Sequence, residues 1–171
     1  MDAFPKSARP TPGQAALAQQ LATGQADEGR GIARLPASLY TDPARFAAEQ
    51  QGLFARLPLL LGPSAILPRP REALAHDAYG TPLLVSRDGH GKVHVLANVC
   101  RHRGTRLVEA EGLVPVARIV CPYHAWAYKP DGALAAMPRP ECFPGLDKGE
   151  QSLRCFPAHE SGGLIWFAHD D

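Results

Sequence analysis

The amino-acid sequence predicts a mainly β protein: a small antiparallel β-sandwich or barrel, preceded by an N-terminal helix and a flexible arm. Three observations predict this class. From Leu59 onward, short apolar runs alternate with turns rich in glycine and proline. No amphipathic helix separates those runs, which argues against a parallel α/β sheet. A chain of 171 residues, 45% hydrophobic and 20% charged, is long enough and apolar enough to bury one core.

Residues 1–38 read as a flexible N-terminal arm and linker. Pro5, Pro10, Pro12 and Gly13 precede an Ala/Gln-rich stretch, 14–22, of helical composition, in which Leu17 and Leu21 are the only large apolar residues. Residues 24–31 have the composition of a linker. Residues 39–171 are expected to form the folded domain, with a leading helix over 43–57. Asp42 is a good N-cap and Pro43 suits the first helical position, where its missing N–H would be unpaired anyway. Phe46, Gln50, Leu53, Phe54 and Leu57 fall on one face at helical spacing, predicted as core or docking surface, and Pro58 ends the run. Runs 82–87 and 92–99 flank Asp88-Gly89-His90-Gly91 and predict a hairpin. Further strands are expected at 117–120, 125–128, 133–135, 152–156 and 164–168, with turns at 129–132 and 160–163. The proline-rich stretch 137–145 is expected to be a surface loop.

Charge and hydropathy exclude several partners. Lys and Arg number 18 against 17 Asp and Glu, a formal net charge of +1, which gives no electrostatic case for nucleic acid or an anionic membrane. No apolar run approaches the roughly 18–20 residues of a membrane helix; the densest, 57–61, is broken by Pro58. The first dozen residues lack the pattern of a secretory signal, so a cytoplasmic location is expected. In that compartment the four cysteines are expected as thiols or metal ligands, not disulfides.

Two short segments carry the chemistry. Cys100-Arg101-His102 and Cys121-Pro122-Tyr123-His124 give C-x-H, an 18-residue gap, then C-x-x-H. Each begins where a predicted strand ends, and loop residues can aim two side chains at one site where successive strand residues point apart. Gly104 permits a sharp turn in the first loop, and Pro122 restricts the second. Two sulfurs and two imidazoles suit either a tetrahedral Cys₂His₂ zinc or a Rieske 2Fe–2S centre. Zinc fingers pair like with like. Here each loop supplies one cysteine and one histidine, which favours the Rieske centre: Cys100 and Cys121 on one iron, His102 and His124 on the other. One 2Fe–2S cluster per chain is expected.

The segments Asn98-Val99-Cys100-Arg101-His102-Arg103-Gly104 and Cys121-Pro122-Tyr123-His124-Ala125-Trp126, followed by Tyr128, Asp131 and Gly132, resemble a known family. It is the Rieske domain of aromatic-ring-hydroxylating (phenylpropionate/benzoate dioxygenase-like) oxygenase α subunits. The resemblance runs from about Tyr40 through the hairpin to the Gly163–Phe167 segment. It implies a Rieske-type (ISP-like) fold and one-electron transfer, as a component or fragment of such an oxygenase system. It also implies redox partners: a reductase or ferredoxin, and a separate catalytic oxygenase subunit. Ala125 stands where the family often has glycine.

Rieske proteins of respiratory complexes resemble this pattern but add a disulfide between the loops. Thr105 and Tyr123 stand at those positions here. Those proteins also place a serine hydroxyl against the cluster, whereas Ala125-Trp126 offers none, so a midpoint near the low end of the range, about −150 mV, is expected. Family oxygenases carry a second domain with mononuclear iron held by two histidines and an aspartate. His159, Glu160, His169 and Asp170 do not match its spacing, so this sequence is expected to hold the electron relay and no oxygenase active site. The alternatives are an oxygenase subunit whose iron lies on a separate chain, and a non-enzymatic binding module with a structural metal site.

The remaining polar residues have plainer readings. Arg101, Arg103 and Arg106, with Lys129, make a basic collar suited to an acidic partner; the competing reading is solvated turn charge, one arginine pairing Glu109 or Glu111. Tyr123 is expected to shield the cluster, and Trp126 and Tyr128 to pack beneath the loops. His90 reads as a turn residue and His94 as an outward strand position; His76 lies ahead of the hairpin. Cys155 is expected as a buried thiol and Cys142 as an exposed one.

Overall fold

The computed structural model describes residues 10–24 and 31–169. The chain divides into two compact units, Met1–Thr41 and Asp42–Asp171.

In the first unit, helix α1 (Pro12–Ala22) begins with a capping box: Gln14 N–H donates to Thr11 Oγ1 (3.2 Å) and Thr11 N–H to Gln14 Oε1 (2.8 Å). None of its residues is buried, as two leucines in eleven residues foreshadow. A short helix α2 (Ser38–Thr41) closes the unit. The mobility expected of the arm falls in large part on residues 1–9 and 25–30, outside those described.

The second unit opens with helix α3 (Pro43–Glu49), where Asp42 Oδ1 accepts from Ala44 N–H at 2.9 Å. A π-helical turn, Gln50–Phe54, follows. The wider turn breaks the 3.6-residue periodicity, so the expected apolar face does not stay together. Phe54 packs on the core, while Phe46, Leu53 and Leu57 remain about half exposed.

All strands pair antiparallel. They are β1 (Leu59–Pro63), β2 (Glu72–His76), β3 (Leu83–Arg87), β4 (Val93–Ala97), β5 (Val114–Pro115), β6 (Ile119–Val120), β7 (Ala127–Tyr128), β8 (Leu134–Ala136), β9 (Cys155–Phe156), β10 (Ala158–Ser161) and β11 (Leu164–Phe167). They form sheets ordered β1-β11-β10, β5-β2-β3-β4-β9 and β6-β7-β8. The central hairpin β3–β4 turns on Asp88, whose Oδ1 accepts from His90 N–H and Lys92 N–H. Alternate residues of this hairpin feed two cores. Leu83, Val85 and Val95 meet Leu59, Leu61, Ile165 and Phe167, whereas Leu84 and Leu96 meet Cys100, Cys121, Trp126 and Tyr128. The central sheet is thus buried on both sides, and the second core is the floor of the candidate site.

Several expectations change. The stretch 137–145 is not a plain surface loop: Met137 is buried and Phe143 packs on the core, because left-handed Arg139 (φ 50°) and the Pro140–Cys142 3₁₀ turn fold the chain back inward. Cys155 is exposed, since β9 is a two-residue edge strand. His94 is drawn in toward Asp88, with Nε2 2.9 Å from Oδ2, and is not a free outward position.

Candidate metal centre

Two loops of matching construction hold the candidate ligands. In the first, after β4, Cys100 N–H donates to the Thr105 carbonyl (2.8 Å) and Gly104 N–H to the Cys100 carbonyl (2.9 Å). In the second, between β6 and β7, Cys121 N–H donates to the Trp126 carbonyl (2.8 Å) and Ala125 N–H to the Cys121 carbonyl (3.0 Å). Each loop reverses through a left-handed residue, Gly104 (φ 71°) or Ala125 (φ 57°). Isolated bridge pairing of Val99 with Arg106 closes the base of the first loop.

Supports behind the loops fix them to the sheets. Fully buried Asn98 accepts from Leu107 N–H and Val108 N–H at Oδ1 and donates from Nδ2 to the Val108 carbonyl (2.8 Å). Arg106 pairs with both oxygens of Asp77 (2.9 and 2.8 Å), not with Glu109 or Glu111, and donates from Nε to the Val108 carbonyl. The hairpin β7–β8 is tied to the central sheet by buried Ser86, whose hydroxyl donates to the Pro130 carbonyl (2.6 Å).

Cys100 and Cys121 are buried, at 2% and 3% exposure, while His102 and His124 are half-buried with ring centroids 4.7 Å apart. Burial, with His124 and Arg103 adding, holds the His102 imidazole below its ordinary pKa, in the neutral form that ligates metal. His124 Nδ1 is buried with no hydrogen-bond partner among the described residues. An orphaned imidazole nitrogen beside buried thiols is the donor chemistry that an iron–sulfur cluster satisfies. The four residues therefore fit such a group. Among the described residues no group of three or more His, Cys, Asp or Glu side chains is close enough together to hold a single metal ion.

Aromatic rings enclose the histidines. Trp126 stacks on His102 with planes 6° apart and centroids 4.9 Å apart, and Phe143 meets His102 at 85° and 5.6 Å. Tyr123 lies 3.8 Å from the His124 ring but is 59% exposed, a partial cover. Tyr128 does more than pack: its fully buried hydroxyl lies 3.3 Å from Cys100 Sγ and accepts from Arg101 N–H (3.1 Å). Burial, with the Cys100 contact adding, raises its pKa, so it stays protonated and able to donate to a cysteine sulfur held as thiolate. The expectation of a site without a hydroxyl donor is corrected by this residue. Its partner is 28 positions away, with no local signal.

Outside the histidines a cavity of about 500 Å³ opens between Arg103, Arg139, Cys142, Trp126 and Phe143. Arg103, which lines it, is exposed, as is Arg101. The C-terminal polar residues do not form a second centre among the described residues. Glu160 is held by Arg87 (2.7 and 2.9 Å), His159 sits on exposed β10, and His169 packs against Phe167; Asp170 lies outside the described residues.

A family model described as the Rieske [2Fe-2S] domain matches residues 58–157. The glycine betaine monooxygenase oxygenase subunit of Chromohalobacter salexigens is 36% identical over 149 residues, covering 83% of this chain and 32% of that protein. The biphenyl 2,3-dioxygenase subunit alpha of Rhodococcus jostii is 37% identical over 123 residues, 71% of this chain and 26% of that one. A solved quaternary ammonium Rieske monooxygenase bound to L-carnitine superposes with a TM-score of 0.71 at 27% identity, over 80% of this chain and 38% of that chain. The chain thus spans about a third of the length of the curated relatives it matches. Such a domain binds a 2Fe–2S cluster and transfers electrons through it. The fold, the paired loops and the matched family model together place this chain in the Rieske [2Fe-2S] domain family.

Proposed function

We propose that Cys100 and Cys121 hold one iron of the cluster and His102 and His124 the other, and that the chain relays single electrons within a Rieske oxygenase system. When bound, the cluster supplies a one-electron couple, and the chain's own residues do the rest. The matching loops set the ligands, Tyr128 donates a hydrogen bond to the Cys100 sulfur, and Asn98 and Ser86 brace the two loops. The buried Nδ1 of His124 carries the reading, because nothing among the described residues satisfies it.

The half-buried histidine edge, opening into the cavity, is the proposed entry and exit for the electron, and Arg101 and Arg103 favour an acidic redox protein there. A reductase or ferredoxin fits the donor role, and an oxygenase subunit with mononuclear iron fits the acceptor role. Relatives named for glycine betaine and for biphenyl match equally well, because this domain carries the electron and not the substrate. No described helix is long and apolar enough to cross a membrane, which agrees with a cytoplasmic place of action.

Anaerobically purified protein tests the reading. Iron and acid-labile sulfide in equal amounts, with a Rieske spectrum lost in His124→Ala, are the expected result. Stoichiometric zinc without sulfide would overturn it.

A further inference from the structure

We propose that Phe143 is a positioning residue for His102, setting the plane of that one histidine and not of its partner His124. The inference rests on ligation by His102 and deepens it.

The observation is an interlocked corner of three rings. Trp126, 2% exposed, lies parallel to His102 and walls one face of the imidazole. Phe143 stands nearly perpendicular to both, at 85° and 5.6 Å from His102 and at 81° and 5.5 Å from Trp126. Offset stacking and edge-to-face contact are the two arrangements aromatic quadrupoles prefer, so the corner resists rotation of any one ring. His124 has no such corner of buried rings: apart from His102 itself, edge-on at 4.7 Å, the ring against it is Tyr123, which is 59% exposed.

The chain invests a specific backbone path in delivering Phe143. Buried Met137 anchors the segment, and Arg139 adopts a left-handed conformation that a side chain rarely takes. A 3₁₀ turn then brings Phe143 back, with Phe143 N–H donating to the Pro140 carbonyl (3.0 Å) and Leu146 N–H to the Phe143 carbonyl (3.2 Å). Leu146 packs on the same core beside it. A ligand ring whose neighbours fix its plane holds one metal–nitrogen overlap; a loosely covered ring samples several.

The test uses the full chain with its cluster reduced, reading the nitrogen couplings of the two histidines by pulsed EPR. In Phe143→Leu, which keeps most of the volume and loses the ring edge, one histidine's coupling spreads or splits while the other stays as in the unaltered protein. Phe143→Tyr restores the original pair of couplings. Phe143→Ala behaves as leucine does where it retains cluster. Unchanged couplings in Phe143→Leu at full cluster content overturn the positioning role alone. Equal disturbance of both histidines also overturns it, since that is general loosening of the loops. Absence of any histidine coupling in the unaltered protein overturns the ligand assignment, and the positioning role with it.

Discussion

Gly104 and Ala125 occupy the same place in two equivalent loops. Each lies four residues after a candidate cysteine ligand, each donates its N–H to that cysteine's carbonyl, and each has a left-handed backbone. Glycine adopts that conformation freely; alanine does so at a cost of about 1 kcal/mol. Ala125→Gly is therefore expected to stabilise the cluster-loaded protein by up to about 1 kcal/mol, and Gly104→Ala to destabilise it by about the same amount. Nothing lies within 4 Å of a Cβ built on Gly104, so its cost is conformational and not a clash. Denaturant titration of the two variants checks the pair. Opposite signs are the expected outcome.

The Tyr128 hydroxyl predicts a change in potential. Hydrogen bonds to a ligand sulfur stabilise the more negative, reduced state, so Tyr128→Phe lowers the midpoint. It also leaves Arg101 N–H without its acceptor, at a stability cost of about 1 kcal/mol. Spectroelectrochemistry reads the shift. An unchanged midpoint would show that the hydroxyl does not reach the sulfur in the loaded protein. Because burial keeps the phenol protonated, the difference between the two proteins is expected to persist into alkaline solution.

Gly132 predicts the severest loss in the fold around the site. A Cβ there would lie 2.9 Å from Leu96 Cδ2 and 3.4 Å from Leu153 Cβ, on a backbone with φ 89°. Leu96 is fully buried in the core under the cluster loops, so its methyl can give way only by repacking that core. Gly132→Ala is expected to cost about 2–3 kcal/mol, combining overpacking with the left-handed penalty. Thermal unfolding followed in the far ultraviolet reads it.

What the sequence displayed and what it concealed follow from how local each interaction is. The hairpin about Asp88 was legible because its turn chemistry and its β-branched alternation lie within one short window. The candidate ligands stood out because coordination dictates residue type and spacing. Strand β10 was not, being a wholly exposed, polar edge with no apolar face to announce it. Nor was β2, whose Glu-Ala-Leu-Ala-His lacks β-branched residues and is recruited by its neighbours β3 and β5. Phe143 and the Asp77–Arg106 pair were illegible because their partners meet only in three dimensions.

Arg101 and Arg103 predict a salt-dependent encounter. Both are exposed, and Arg103 lines the cavity outside the histidines. Charge reversal of either to Glu is expected to slow reduction by an acidic donor protein at low ionic strength, with the deficit shrinking as salt is raised. Stopped-flow reduction at two salt concentrations distinguishes this from damage to the cluster, which would slow the reaction equally at both.

Glu160 decides between a structural ion pair and a second metal centre at the C-terminal end. Its two oxygens are taken by Arg87, which also donates to the carbonyls of Leu67 and Gly91, so the pair ties the central hairpin to β10. Arg87 holds the Glu160 carboxyl below its usual pKa, against the opposing effect of burial. A carboxyl depressed in the folded state contributes stability above its unfolded pKa and loses it as the pH falls through the folded value. Glu160→Gln is thus expected to cost about 1 kcal/mol at neutral pH, solvent screening limiting the pair, with the gap to the unaltered protein closing as solution is acidified below the ordinary glutamate range. Iron content is expected to be unchanged, because Arg87 already neutralises the carboxylate and no group of metal-ligating side chains gathers with it among the described residues. Loss of iron in Glu160→Gln, His159→Ala or His169→Ala, with the Rieske signal intact, would instead establish a terminal metal site beside the relay.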